Sequence, residues 1–326
     1  MKRKTLIHLL AAGLLATALL PGCKKDEETE VLPSLDGSLY FVMKPYLRAG
    51  DDVTLKPLGL THPDGKGIGY AWLVTSIDAT KRDTTKKENE DVSPDKHFTI
   101  AEDIAGLYSV TCTAFADGYY SSSSTRNFYV VDPLLGKSIT GTGISEEDEH
   151  ITSDAERAGE GDYYTVSTGG LTWMRNNLAN TSCGAPYADC EVMSYPLGRF
   201  YTWEEARTAC PEGWRLPTDS EWAALGDVSG DLMADAYIFD EKLWEYWPQV
   251  KITNSTGMGI IPAGYAIISG HNQFSGLCDY AAFWTADSDP DDAGKALYRY
   301  INVNDPVVFT GSADKASFGA SVRCVK

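Results

Sequence analysis

The residue types able to do covalent chemistry are few and scattered. The chain has 326 residues, with seven cysteines and five histidines. No Gly-x-Ser-x-Gly turn is present to expose a strained serine to a general base. No Cys-x-x-Cys pair occurs, and no histidine stands beside a cysteine in sequence. Gly136-Lys137-Ser138 ends like a phosphate-binding loop. That loop also needs a glycine five residues before Gly136, and Val131 stands there. His271, in Ser269-Gly270-His271-Asn272-Gln273, reads as a solvated loop residue. No catalytic residue is assigned, and the chain is read as a non-enzyme.

Two constellations remain. Asp287-Ser288-Asp289-Pro290-Asp291-Asp292 alternates carboxylates at Asp287, Asp289 and Asp291, the hard oxygen ligands that calcium takes. Read as a helix–loop–helix calcium loop, it has Asp292 where glycine belongs and Tyr298 where the bidentate glutamate belongs. A solvated acidic turn is the preferred reading, and no cofactor is expected. The second constellation is Trp244, Tyr246 and Trp247 in Leu243-Trp244-Glu245-Tyr246-Trp247-Pro248. Aromatic rings bury large areas at low conformational cost, so these three are the candidate ligand-binding residues, with core filling as the alternative.

The overall charge narrows the partners. Net charge is -18, with 46 acidic against 28 basic residues. A nucleic-acid binder needs a basic face, so that class is excluded. Attraction to an anionic membrane surface is disfavoured on the same ground. Hydrophobic residues at 43% and charged residues at 23% predict a folded body.

The elements that must position these residues divide the chain. Residues 1–22 form a leader: Lys2, Arg3 and Lys4 precede an apolar run over 6–20, short for a ~30 Å hydrocarbon core. Leu20-Pro21-Gly22-Cys23 resembles a bacterial lipobox, in which cleavage precedes Cys23 and the thiol carries a diacylglycerol. Acyl chains contribute about 0.8 kcal/mol per buried CH₂, and several chains anchor stably. Lys24-Lys25-Asp26-Glu27-Glu28 resembles the surface-export signal of Bacteroidota lipoproteins. The expected location is therefore the outer membrane, lipid-anchored and facing the cell exterior. Residues 23–36 are the tether.

Residues 37–132 read as all-β. Strand-like runs at 38–43, 53–57, 70–76, 97–100, 107–114 and 126–131 alternate with turns such as Pro63-Asp64-Gly65 and Ala116-Asp117-Gly118. That rhythm predicts a β-sandwich. YAWLV around Trp72 and AGLYSVTCTA around Tyr108 resemble the central strands of immunoglobulin-like domains of the polycystic-kidney-disease type, with Trp72 in the core. Residues 133–161, with an acidic run over 145–149, read as a linker in which 138–144 has strand character. Residues 162–326 form the last unit and hold seven of the eight tryptophans. Thr202-Trp203-Glu204-Glu205 and Thr218-Asp219-Ser220-Glu221 are capping boxes that start two helices. The first stops near Cys210 before Pro211, and the second near Gly226. Strands are expected at 259–261, 265–268, 283–285, 296–302 and 320–325.

The run GRFYTWEEARTACPEGWRLPTDSEWAAL, from Gly198 to Leu225, resembles the Fibrobacter succinogenes major paralogous domain. YYTVSTGGLTWMRNNL upstream, Ile261-Pro262-Ala263-Gly264-Tyr265, Phe283-Trp284-Thr285 and Ser321-Val322-Arg323-Cys324 extend the likeness over residues 162–326. Arg215-Leu216-Pro217-Thr218 with Glu221-Trp222 is also similar to the core motif of formylglycine-generating enzymes, which have a C-type-lectin-like fold. The resemblance implies an α+β lectin-like domain after the sandwich. It also implies a Cys210–Cys324 disulfide and a second, local Cys183–Cys190 pair. Cys112 and Cys278 are expected to stay reduced. The functional expectation is a binding or adhesion module for a glycan or a protein partner. The alternatives are a formylglycine-generator-like enzyme resting on Cys278, or a structural surface protein without a small ligand.

Overall fold

The computed structural model describes residues 31–78, 83–92, 98–100, 104–131, 139–142, 150–151, 163–238, 241–244 and 250–326. The chain is mostly β, in several small sheets. Among the described residues no helix is long and apolar enough to cross a membrane. Cys23 and the leader lie outside the described residues.

Among the described residues, nine strands lie between Asp36 and Val131. β1 (Asp36–Tyr40) pairs with β4 (Leu58–Thr61), and β3 (Val53–Leu55) with β7 (Phe98–Ile100). Strands β2 (Tyr46–Arg48), β5 (Gly69–Asp78), β6 (Asp83–Val92), β8 (Gly106–Phe115) and β9 (Ser122–Val131) form a sheet in the order β2-β9-β8-β5-β6. Strand β8 shows why: Tyr108, Val110, Cys112 and Ala114 alternate with less buried residues, and that period of two turns one face inward. Trp72 is 1% exposed and meets the Phe41 ring edge-on at 5.2 Å. Strand β6 escaped sequence reading because DTTKKENEDV carries no apolar alternation. It lies at the sheet edge, where charged residues discourage further pairing.

Part of the stretch read as a linker is structured. β10 (Ile139–Thr142) pairs with β16 (Asp235–Ile238), which also pairs with β17 (Glu241–Lys242). β11 (His150–Ile151) pairs with β12 (Tyr163–Thr168), which forms a hairpin with β13 (Leu171–Met174). The turn Gly169-Gly170 has φ of 58° and 82°, a conformation glycine adopts without steric cost. β14 (Ala185–Pro186) pairs with β15 (Arg199–Phe200), beside the short helix α1 (Ser194–Leu197).

Both capping boxes form. Thr202 accepts from the Glu205 amide while Glu205 accepts from the Thr202 amide at 2.9 Å, starting α2 (Trp203–Ala209). Thr218 and Glu221 do the same for α3 (Asp219–Ala223). The two helices flank a sheet of β20 (Tyr280–Ser288), β21 (Lys295–Asn302) and β22 (Val308–Asp314), in that order. Trp203 Nε1 donates to the Thr285 carbonyl at 2.9 Å. Arg299 grips Asp219 through Nε at 2.6 Å and Nη2 at 2.7 Å, tying β21 to α3. A second small sheet has the order β19 (Gln273–Ser275), β18 (Tyr265–Ile267), β23 (Phe318–Gly319). The strand expected at 320–325 is instead a series of single bridges, Ala320 to Tyr201, Ser321 to Phe283, and Val325 to Trp173 and Arg215. It thus ties several elements together instead of extending one sheet.

Cys210 and Cys324 form the disulfide, closing a sequence separation of 114 residues. The expected Cys183–Cys190 pair is corrected: both are thiols. They pack into different apolar clusters. Cys190 is buried with Leu197, Phe200 and Ala263, and its Sγ donates to the Ala188 carbonyl at 3.3 Å. Cys183 lies against the cluster of Trp203 and Cys324. Arg199 braces the intervening loop, donating to the carbonyls of Cys183 at 3.0 Å and Gly184 at 2.7 Å.

Candidate functional site

Of the sequence-derived aromatic set, the structure describes Trp244 alone. Trp244 is 1% exposed, and its Nε1 donates to the Ile260 carbonyl at 3.0 Å. An indole buried with its one donor satisfied offers no face to a ligand, so Trp244 is a core residue and not a binding residue. Tyr246 and Trp247 lie outside the described residues.

The acidic turn is also spoken for. Asp287 Oδ2 accepts from the Asp219 amide at 2.6 Å, which ties β20 to the first turn of α3. Asp289 accepts from the Asp291 amide at 2.8 Å and from the Ser312 hydroxyl. The Ser312 hydroxyl first, and the Asp291 amide after it, hold the Asp289 carboxyl below its ordinary value. Asp292 accepts from the Gly294 amide at 2.9 Å and pairs with Lys295 at 3.2 Å. Asp287, Asp289 and Asp292 thus shape the turn and its neighbours, and among the described residues no group of three or more potential ligands could hold a metal ion.

Three of the thiols are held toward their protonated form. Burial pushes Cys112 up to about 12 and also raises Cys183 and Cys190. The thiolate is the reactive form, so burial lowers the reactivity of these three. His271 is exposed in its loop, with its amide bonded to Ser269 Oγ.

The structure brings together a set of rings that the sequence reading passed over. In the β20–β21–β22 sheet, Ala282 faces Tyr300, which faces Phe309; Trp284 faces Tyr298, which faces Gly311. Side chains alternate along each strand, so Tyr280, Trp284, Tyr298, Tyr300 and Phe309 share one side. The other side carries Phe283 and Ile301, which are buried, and Arg299, which is bound to Asp219. Tyr280 stacks on Tyr300 at 5.1 Å, and Tyr300 on Phe309 at 5.0 Å, with interplanar angles of 19° and 16°. Tyr298 lies 4.9 Å from Phe318 and 5.5 Å from Tyr300, and Phe318 stacks on Tyr265 at 5.5 Å. Tyr265, Tyr280, Tyr298, Tyr300, Phe309 and Phe318 are all half-buried. The row is rooted where Tyr265, Tyr280, Tyr298 and Phe318 pack on the core of Trp284 and Ala320. It runs outward to Phe309 on the edge strand.

Two of the phenols, Tyr280 and Tyr300, are shifted toward the protonated form. Burial, then hydrogen bonding and repulsion from Tyr298, raise Tyr280; burial, Tyr298 and the Asp305 carboxylate raise Tyr300. The Tyr280 and Tyr298 hydroxyls stand 3.5 Å apart. The rings thus cover one another's faces along the row, with the phenol hydroxyls at their tips. Tyr298-Arg299-Tyr300 was the available sequence signal, since a period of two puts both tyrosines on one side. The partners on β20 and β22 come from strand register, which the sequence does not reveal.

Residues 166–326 match the family model of the Fibrobacter succinogenes major domain. No curated protein matches the chain.

Proposed function

We propose, on the premise that residues 166–326 are a Fibrobacter succinogenes major domain, that this chain is an exported, non-catalytic binding protein. In this reading Cys23 is lipidated and holds the protein on the outer membrane, facing outward. The first body is an immunoglobulin-like sandwich that serves as spacer, and the second is a C-type-lectin-like domain that presents the contact surface. The observation that carries the reading is the row of half-buried rings from Tyr280 to Phe309, built on a sheet locked to α3 by Arg299 and Asp219. Such a face binds amphipathic partners and has no group to break or make a bond. Fold alone does not establish function, and that surface is what supports the reading.

The anchor has its own test. Cys23→Ala is expected to move the protein from the membrane fraction to the soluble fraction and to abolish incorporation of a labelled fatty acid. Membrane retention of the variant without label would contradict lipid anchoring.

A further inference from the structure

We infer that the open edge of β22 is a docking site for an extended, basic polypeptide segment, which adds to the three-stranded sheet as a further strand. The inference goes beyond the binding reading above and does not depend on the ring row.

Three observations carry it. The first is a row of unsatisfied backbone groups. β22 is the last strand of its sheet. Its odd-numbered residues bond inward, and the Lys315 amide continues that register by donating to the Gly294 carbonyl at 3.0 Å. Its even-numbered residues therefore turn their amides and carbonyls outward. The Val308 amide donates to the Asp227 carbonyl at 2.8 Å, and Val228 bridges Val307 in antiparallel sense. The first rung of this edge thus already holds a strand-like segment. Beyond it, among the described residues, the outward amides and carbonyls of Thr310 and Ser312 meet no partner. Such groups recur about every 6.6 Å along a strand, the repeat at which another extended backbone offers its own.

The second observation is that this edge is unguarded. Edges that avoid pairing carry charges, proline or bulges. β6, at the edge of the other large sheet, holds Lys86, Lys87, Glu88, Glu90 and Asp91. From Val308 to Ala313, β22 has no charged residue and no proline, and its register is unbroken. Thr310 and Ser312 are exposed. Val228 and Val307 at the occupied rung are exposed apolar side chains, at 49% and 39%, and give an incoming segment something to cover.

The third observation is charge, which selects the segment. Asp227, exposed, stands at one end of the edge. At the other, Asp314 is exposed and Asp289 accepts from the Ser312 hydroxyl. The cations of the sheet are engaged: Lys295 with Asp292, Arg299 with Asp219, and Lys315 with Ser288 and the Ala293 carbonyl. Basic residues flanking an added strand are therefore attracted at both ends, and acidic ones repelled. The same carboxylates oppose pairing of this edge with its own copy, in a chain of net charge -18.

The experiment uses the full chain in detergent and a fluorescent peptide, Lys-Lys-Val-Thr-Val-Thr-Val-Lys-Lys, read by anisotropy. One control peptide has Glu for every Lys. A second is N-methylated at its five central residues, which removes the amides that pair. Wild type is expected to bind the basic peptide and to bind either control at least tenfold more weakly. Thr310→Pro removes an outward amide hydrogen and leaves the bonds to β21, as proline does on edge strands. It should weaken binding at least tenfold, with near-ultraviolet circular dichroism and the melting temperature confirming the fold. Asp227→Asn, which keeps the carbonyl that Val308 uses, should weaken binding about two- to fivefold. Failure to bind the basic peptide overturns the inference. Equal binding of the N-methylated peptide overturns it as well, because charge alone then holds the peptide; this arm stands whether or not Thr310→Pro folds. Undiminished binding by folded Thr310→Pro removes the site from this edge. A wild-type dimer in sedimentation that Thr310→Pro dissociates gives the edge to a second copy and overturns the assignment to a basic segment.

Discussion

Gly311 is the residue on which the aromatic face depends most closely. A Cβ at this position would fall 2.5 Å from the Tyr298 ring. Glycine within a strand marks such close approaches. Gly311→Ala should push Tyr298 off the sheet and break its 4.9 Å contact with Phe318. The expected loss is about 1 kcal/mol or more, the range for overpacking, read as a lower denaturation midpoint. An unchanged midpoint would mean that Tyr298 does not rest on Gly311. Single residues were also where sequence reading was least reliable. Trp244 has the type of a ligand platform, but its burial follows from contacts with distant residues such as Ile260. Asp287 reads as a free carboxylate until α3 is placed beside it. Type and spacing say what a side chain can do; its solvent exposure is decided by residues far away in sequence.

Helix starts were legible because their chemistry is local. Thr202 with Glu205, and Thr218 with Glu221, satisfy the first amides of α2 and α3 without help from distant residues. The second box adds an ion pair, with Arg215 Nη2 at 2.5 Å and Nη1 at 2.8 Å from Glu221. Arg215, and then the Thr218 amide and hydroxyl, hold the Glu221 carboxyl down at about 2. A depressed carboxylate stabilises the fold above its unfolded pKa, near 4.5, and that contribution disappears as pH falls through about 2. Gln at this position still reaches back to the cap amide, so Glu221→Gln isolates the charge. The gap in melting temperature between wild type and Glu221→Gln should therefore be full at pH 6 and shrink on acidification to pH 2.5. A gap independent of pH would refute the ion-pair account. Strands were less legible. Those with alternating apolar residues, such as Gly106–Phe115 and Lys295–Asn302, were found, whereas the charged Asp83–Val92 was missed. Register, which builds the aromatic row, was not legible at all.

At the scale of the whole molecule, the Cys210–Cys324 bridge closes more than two thirds of the family-matched region. In the chain-entropy model a loop of that size contributes about 4.8 kcal/mol. Reduction should lower the unfolding midpoint sharply. Non-reducing peptide mapping should find Cys210 joined to Cys324, with Cys112, Cys183 and Cys190 as thiols. The family motif made the long bridge readable, because both cysteines stand at motif positions. The shorter Cys183–Cys190 pairing failed because proximity in sequence does not put two thiols in the same cluster. In the proposed function the tyrosine face is the contact surface for a partner. The most direct test compares wild type with the Tyr300→Ala/Phe309→Ala double variant on one array of glycans and proteins, at matched melting temperature. The account predicts specific binding by wild type that falls at least tenfold in the double variant; equal binding by both would contradict it.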